Sequence, residues 1–310
     1  MDSASSSVNS TISAAETEAL KAATFQRLHP RIYLERFLEE QVRPDGRSTA
    51  QESLDENGWR NVEVNVGSIS TASGSALVRL GNTTVVCGVK AEICEPELDN
   101  PEEGFIVPNI DLPALCSPKF KPGPPTEEAQ VLSERLNEVV TANGLVPLSS
   151  LCICPGKAAW VLYVDATVIN YDGNVFDAAL LAMVCALRDV SLPHADFDPE
   201  LGRTICSRPG SDLSKPPHKL AMQEDMLPMA FSFGVFAGSH LLPDPTAFEE
   251  PLLDTAISVI LDAHAQVLAL SQLGSGVETG QALDHTDTLA RCISLAKNRH
   301  AVLKKKLYGT

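Results

Sequence analysis

The chain has 310 residues and a formal net charge of −16, with 44% hydrophobic and 21% charged residues. At roughly 100 to 200 residues per domain this allows two modest domains or one large one, and the composition excludes a disordered or fibrous protein. The longest unbroken apolar run, residues 178–187, is ten residues long, against about 20 for a bilayer-spanning helix, so no membrane span is expected.

Charge and cysteines narrow the field further. The last thirty residues carry +4 (Arg291, Lys297, Arg299, Lys304, Lys305 and Lys306 against Asp284 and Asp287), leaving −20 for everything before them. Such a balance argues against a protein that holds a polyanion on its own. Residues 1–24 contain six serines, no arginine and no apolar block, so they lack the features of a secretory or mitochondrial leader, and a reducing compartment is expected. The eight cysteines include no Cys-x-x-Cys, and no histidine lies within ten residues of the pair Cys152 and Cys154. Zinc spacing is absent, no metal or cofactor is expected, and buried free thiols are the expectation.

Residues 1–27 read as a flexible tail. Residues 31–41 place Ile32, Phe37 and Leu38 near one helical stripe, with Tyr33 and Leu34 beside it, which predicts a short docking helix stopped by Pro44. Residues 48–59 read as a polar insertion. From Asn61 the period becomes two, and Gly74 and the Gly81-Asn82-Thr83 turn divide residues 62–89 into a three-stranded antiparallel meander. Eight of the 21 prolines fall within residues 96–125, which predicts a long extended loop. Thr126 can cap a helix with Glu127 and Glu128 in its first turn and Val131, Leu132, Leu136, Val139 and Val140 buried. Residues 158–170 return to strand character and end at Tyr171-Asp172-Gly173-Asn174, after which residues 177–190 form a buried helix. Loop signals fill residues 193–217. Strands then follow around residues 229–236, 241–242, 257–261 and 266–271, and a basic helix spans residues 284–307. The division is a tail (1–27), a first domain (28–195) that includes the docking helix, a linker loop (196–217) and a second domain (218–310). Strands followed by a helix, twice, make the fold class α+β with two related halves.

Local motifs are weak one by one. The segment from Gly274 to Gly280 lies between a strand and a helix, but its spacing is wrong for a phosphate loop and Glu278 would oppose an anion. Gly156-Lys157 lacks the remainder of a P-loop. Asp244, Glu249, Glu250, Asp254, Asp262 and His264 could supply metal or acid/base chemistry, yet Asp244-Pro245-Thr246 reads as a turn and Glu249, Glu250 and Asp254 as a solvated loop. Asp177 opens a helix where an anion would be favoured, so a carboxylate of the chain itself takes that place.

Taken together, an ordered set of segments resembles the RNase PH family. They are Arg43-Pro44-Asp45-Gly46-Arg47, the run from Gly67 to Thr84, Pro108-Asn109-Ile110-Asp111-Leu112-Pro113, the run from Gly123 to Gln130, Tyr171-Asp172-Gly173-Asn174, and Asp244-Pro245-Thr246 with Glu249-Glu250. The resemblance implies the RNase PH fold, of the ribosomal protein S5 domain 2-like type. It also implies a place in the hexameric ring of the RNA exosome, beside other RNase PH-like subunits, under S1/KH cap proteins, with RNA passing through the channel, in the nucleus (nucleolus) and the cytoplasm.

Active relatives shorten RNA from its 3′ end by phosphorolysis, which needs cations around the attacking phosphate and a carboxylic acid. By the same resemblance, their phosphate-binding Thr-Arg pair is replaced here by Val175 and Phe176, a further arginine by Pro125, and a later aspartate by Ala256. Asp244 and Glu250 are retained acids. Lys119 and Lys121 fall where relatives line the RNA channel. The expectation is a pseudo-enzyme that scaffolds the ring. The alternative is an active phosphorolytic 3′-to-5′ exoribonuclease with rearranged phosphate ligands, and a free-standing RNA-binding protein is disfavoured by the charge of −16.

Overall fold

A computed structural model describes residues 14–50, 58–206, 217–274 and 285–308. The first sheet runs in the order β1 (Val62–Val66), β2 (Gly74–Leu80), β3 (Thr83–Cys94), β6 (Ala158–Asn170), β4 (Phe105–Asp111), with β5 (Cys152–Cys154) also paired to β6. The expected meander is β1, β2 and β3, antiparallel throughout. β4 corrects the expectation of one long loop across residues 96–125. It pairs parallel to β6 with Pro108 opposite Val164, and its place at the end of the sheet order explains how a strand accommodates a residue that cannot donate to a ladder.

Two helices accompany this sheet. The first, α3 (Glu127–Ala142), is capped by Thr126, whose side chain accepts from the backbone N–H of Ala129. It buries Ala129, Leu136, Val139 and Val140, whereas Val131 is half exposed, contrary to the expected stripe. The second, α4 (Val175–Asp189), is buried along nearly its whole length because it packs on β2 and β3 from one side and on β11 (Met229–Phe236) of the second sheet from the other. Gly74 permits the close approach of β2 to α4: a Cβ there would lie 2.5 Å from the carbonyl oxygen of Ala186 and 2.7 Å from the nitrogen of Val190.

The second sheet is antiparallel in the order β12 (His240–Pro243), β11 (Met229–Phe236), β13 (Thr255–Leu261), β14 (Val267–Gly274). The basic helix α5 (His285–Tyr308) lies against β11 and β13. One apolar core joins both sheets, from Val85 and Leu162 through Leu180 and Met183 to Phe231, Val259 and Leu295.

Between the sheets, β7 (Ser191–Leu192) pairs with β10 (His218–Lys219). Within the span read as loop, β8 (Ala195–Asp198) and β9 (Arg203–Cys206) form a hairpin. Residues 207–216 lie outside the described residues.

The N-terminus is the other correction. Where the tail was expected, α1 (Ala14–Leu28) is helical, because alanine, glutamate, lysine and leucine favour a helix without needing an apolar stripe. Residues 1–13 lie outside the described residues. The docking helix α2 (Pro30–Glu39) forms as expected, but it buries Leu34 and Leu38 while Ile32 stays 45% exposed. Its target is the second sheet: Leu34 and Leu38 cluster with Phe236 and Leu242, and Tyr33 meets Phe248 edge-on at 5.9 Å.

All eight cysteines are free thiols. Cys87, Cys116, Cys185 and Cys292 are buried as expected, and burial pushes Cys185 up to about 11 and Cys292 up to about 12. Cys94, Cys152 and Cys154 are half-buried and Cys206 is exposed.

Candidate functional site

The turn before α4 brings the halves together. Gly173 has φ +75°, and a Cβ there would lie 2.5 Å from the nitrogen of Ala247, so the turn presses directly on the loop after β12. Asn174 follows in the left-handed region with φ 51°. The helix then opens with Val175 and Phe176, both buried in the common core at 4% and 5% exposure. Neither side chain offers a hydrogen-bond donor or a charge.

Asp177 lies in the first turn of α4. Its carboxylate accepts from Asn174 Nδ2 at 2.8 Å, from the backbone N–H of Ser232 at 2.8 Å and from Ser232 Oγ at 2.7 Å. Burial pushes its pKa up to about 6, against the opposing pull of those hydrogen bonds.

The loop expected to be solvated is among the most buried polar parts of the molecule. Asp244 and Glu249 are 0% and 1% exposed. Asp244 receives Arg60 through Nη2 at 2.7 Å and Nε at 2.9 Å, the backbone N–H of Arg60 at 3.0 Å and Asn174 Nδ2 at 2.7 Å. Glu249 accepts from Arg43 Nε at 2.8 Å, forms a second short bond with Arg43 Nη2, and caps its own loop by accepting from the Thr246 backbone N–H at 2.8 Å. Arg47 bonds the Asp244 carbonyl oxygen at 2.8 Å. Burial raises the Asp244 carboxyl, but the hydrogen bonds and charge of Arg60, with the charge of Arg47, outweigh it and hold the group well below the usual range. The solvated reading fails because the arginines that neutralise the loop lie some 200 residues earlier in the chain, as in the Arg43–Glu249 separation of 206. Asp254, at the end of the same loop, pairs with Arg31 at 3.1 Å.

Glu250 belongs to this assembly too. It accepts from Tyr171 Oη at 2.7 Å and from the Asn174 backbone N–H at 2.7 Å. Burial raises its pKa despite those two donors. The structure therefore brings Val175, Phe176, Asp244 and Glu250 to one turn. Pro125 sits apart and exposed just before the cap of α3, and Ala256 lies in β13 opposite Gly234.

Of the two lysines in the proline-rich segment, Lys119 pairs with Glu128 at 2.6 Å and lies 5.2 Å over the ring of Tyr171. Lys121 is exposed. Sequence reasoning missed Arg60 and Arg135. Arg60 stands alone before a strand and carries no local signal, and Arg135 reads as an ordinary helix-surface residue although its guanidinium lies 4.1 Å over the Phe176 ring. Among the described residues no group of three metal-ligating side chains comes together.

Comparison with known proteins adds the following. The family model for the 3′ exoribonuclease family, domain 1, matches residues 58–193. The chain is 39% identical to the exosome complex component rrp43 of Schizosaccharomyces pombe over 93% of this chain and 99% of that protein. It is 34% identical to the exosome complex component Rrp42 of Methanothermobacter thermautotrophicus over 82% of this chain and 85% of that protein. A chain of the Archaeoglobus fulgidus exosome with RNA bound to the active site superposes with a TM-score of 0.69 and 30% identity, covering 89% of this chain and 96% of that one.

Replacing Arg60→Ala leaves the buried Asp244 without its main partner and should cost about 3 to 5 kcal/mol in chemical denaturation. The Asp177→Asn variant tests the raised carboxyl. Because Asp177 holds its proton more tightly folded than unfolded, its stabilising effect is present at low pH and is lost as pH rises from about 4 through about 6. Between pH 4 and pH 7.5 the stability difference between wild type and variant should shift in the variant's favour by about 3 kcal/mol.

Proposed function

The chain belongs to the 3′ exoribonuclease (RNase PH) family, and from that membership we propose that it is a non-catalytic ring subunit of the RNA exosome. In this reading it scaffolds the hexameric core and its RNA channel for 3′-to-5′ RNA processing and degradation, ribosomal RNA included. Support for the ring comes from relatives named as exosome components that match over 93% and 82% of this chain, and from the superposition on an archaeal exosome chain. The neighbours would be other RNase PH-like subunits, with S1/KH proteins as the cap. The work would take place in the nucleus, its nucleolus and the cytoplasm.

The observation that carries the non-catalytic reading is the start of α4. Phosphorolysis needs cations that stabilise charge on the attacking phosphate and on the scissile phosphodiester, and such preorganised charge supplies the largest part of phosphoryl-transfer catalysis. Here that position holds two buried apolar side chains followed by a half-buried carboxylate. Arg43, Arg47 and Arg60 are near, but they are committed to Asp244 and Glu249. Asp244 is held ionised by that commitment, so it has no proton to give a leaving oxygen at neutral pH. One observation favours the rival reading of an active phosphorolytic enzyme: Arg135 brings a guanidinium over Phe176 from another helix.

A phosphorolysis assay separates the two. The purified full chain should release no nucleoside diphosphate from RNA, with or without phosphate, while mixing with other ring subunits gives a stable complex on sizing. Phosphate-dependent release from the chain alone would establish the enzyme instead. A second measurement addresses the channel: changing Lys119→Glu and Lys121→Glu together should leave assembly intact and weaken RNA protection by the ring. Lys121 should account for the greater part, since Lys119 is already paired with Glu128. Unchanged protection would remove the channel role.

A further inference from the structure

The first sheet ends at β1, and the outer edge of that strand borders a groove. At the two ends of the β1–β2 ladder the Gly81 N–H donates to the Asn61 carbonyl and the Gly67 N–H to the Ser75 carbonyl, each at 2.9 Å. In an antiparallel pair this phase turns the backbone groups of Glu63 and Asn65 toward β2 and those of Val64 and Val66 away from the sheet. No partner among the described residues meets the outward N–H and C=O groups of Val64 and Val66. Val64 is half-buried and Val66 is 48% exposed, so this stretch of edge is open to an incoming chain. The strand at the other end of the sheet is covered instead: Ser133 Oγ of α3 accepts from the Ile110 N–H of β4 at 3.1 Å.

The groove beside that edge encloses about 580 Å³. Val64 and Val66 share one face of β1, and Cys185 of α4 and Leu307 of α5 line the groove with them. Its cations are Arg188, Lys219 and Lys306. Arg188 pairs with Glu224 at 3.5 Å. Lys219 is exposed, and Lys306 donates to Asn61 Oδ1 at 2.7 Å, which fixes the end of α5 beside the start of β1. Among the described residues neither lysine has a carboxylate within ion-pair distance. The two carboxylates of the lining already have partners, Glu63 in Arg79 at 3.9 Å and Asp189 in the backbone N–H of Ser75 at 3.1 Å. In a chain of net charge −16 the groove therefore sets unpaired positive charge beside an open strand edge.

We propose that the β1 edge and this groove form a docking site for an extended acidic segment of a partner protein, which adds as a strand to the first sheet. Its backbone bonds the outward groups of Val64 and Val66, which supplies affinity without regard to sequence. Alternate side chains lie over Val64, Cys185 and Leu307 and select apolar residues there. Carboxylates at the remaining positions meet Lys219 and Lys306, which steer the segment and fix its register. This site needs neither the turn before α4 nor a place in the ring.

The test uses the full chain and a fluorescein-labelled ten-residue peptide that alternates valine with aspartate, compared with the same peptide carrying lysine in place of aspartate. The acidic peptide should bind and the basic one should not. Changing Lys219→Glu and Lys306→Glu together should weaken binding about tenfold, mostly through the association rate. Val64→Pro removes one outward N–H and leaves the β1–β2 ladder its bonds, so it should weaken binding by at least as much. Amide exchange gives a readout that charge attraction alone would not move. The Val64 and Val66 amides should exchange more slowly with the acidic peptide bound, while those of Glu63 and Asn65, already in the ladder, stay unchanged. Equal binding of both peptides, no binding of either, wild-type affinity in both variants, or unchanged exchange at Val64 and Val66 would overturn the site. Displacement of the peptide by an equimolar ten-nucleotide oligouridylate would overturn it too, in favour of RNA. Circular dichroism reports whether each variant folds, and sizing with ring subunits bears on the scaffold reading alone.

Discussion

The buried arginine–carboxylate cluster sets the geometry of everything around it. Arg43 follows the docking helix, Arg60 precedes β1, and Asp244 and Glu249 sit in the loop after β12, so one set of charges fixes the N-terminal segment against the second sheet. Charges sealed from solvent tolerate little displacement, because each is stable only with its partners in place. The turn before α4 is held by the same set: Arg60 donates to the Asp172 carbonyl at 2.7 Å, and Asn174 donates to Asp244. The turn's hydrogen bonds thus help to hold the two halves together.

This bears on the two acids beside the turn. Read from the sequence in isolation, Asp244 and Glu250 suggest acid/base chemistry. In the structure Asp244 pairs with Arg60, and Glu250 accepts from Tyr171 and from the backbone N–H of Asn174 just before α4. The residues around the turn pack against one another, with Val175 and Phe176 buried beneath them in the common core.

Much of the fold was legible in the sequence. The period-two run gives β1 to β3, the apolar run gives α4, and the turn residues mark their ends, because these signals are local. What was misread depended on partners distant in the chain. Pro108 argues for loop until β6 is known to cover only one edge of β4. The acidic loop argues for solvent until Arg43 and Arg60 arrive from the far end of the chain. The stripe of α2 was drawn through Ile32 because a ten-residue helix offers several competing faces, and only the position of Phe236 and Leu242 selects Leu34 and Leu38. The motif segments were visible at once, since a turn such as Asp172-Gly173-Asn174 is a local solution to close backbone approach. Arg135 was missed because its stacking on Phe176 and its bond to Ser271 join elements far apart in the chain.

The position of α4 between two sheets has a consequence for how the protein unfolds. Twelve of its side chains are buried, some against β2 and β3 and some against β11. Detaching either sheet would bare one side of an almost wholly apolar helix to water, a cost that scales with the area exposed. Neither half therefore has an autonomous folded state to fall back on. The chain has two sheets but one cooperative unit, and its most slowly exchanging amides should lie in the helix that the two halves share.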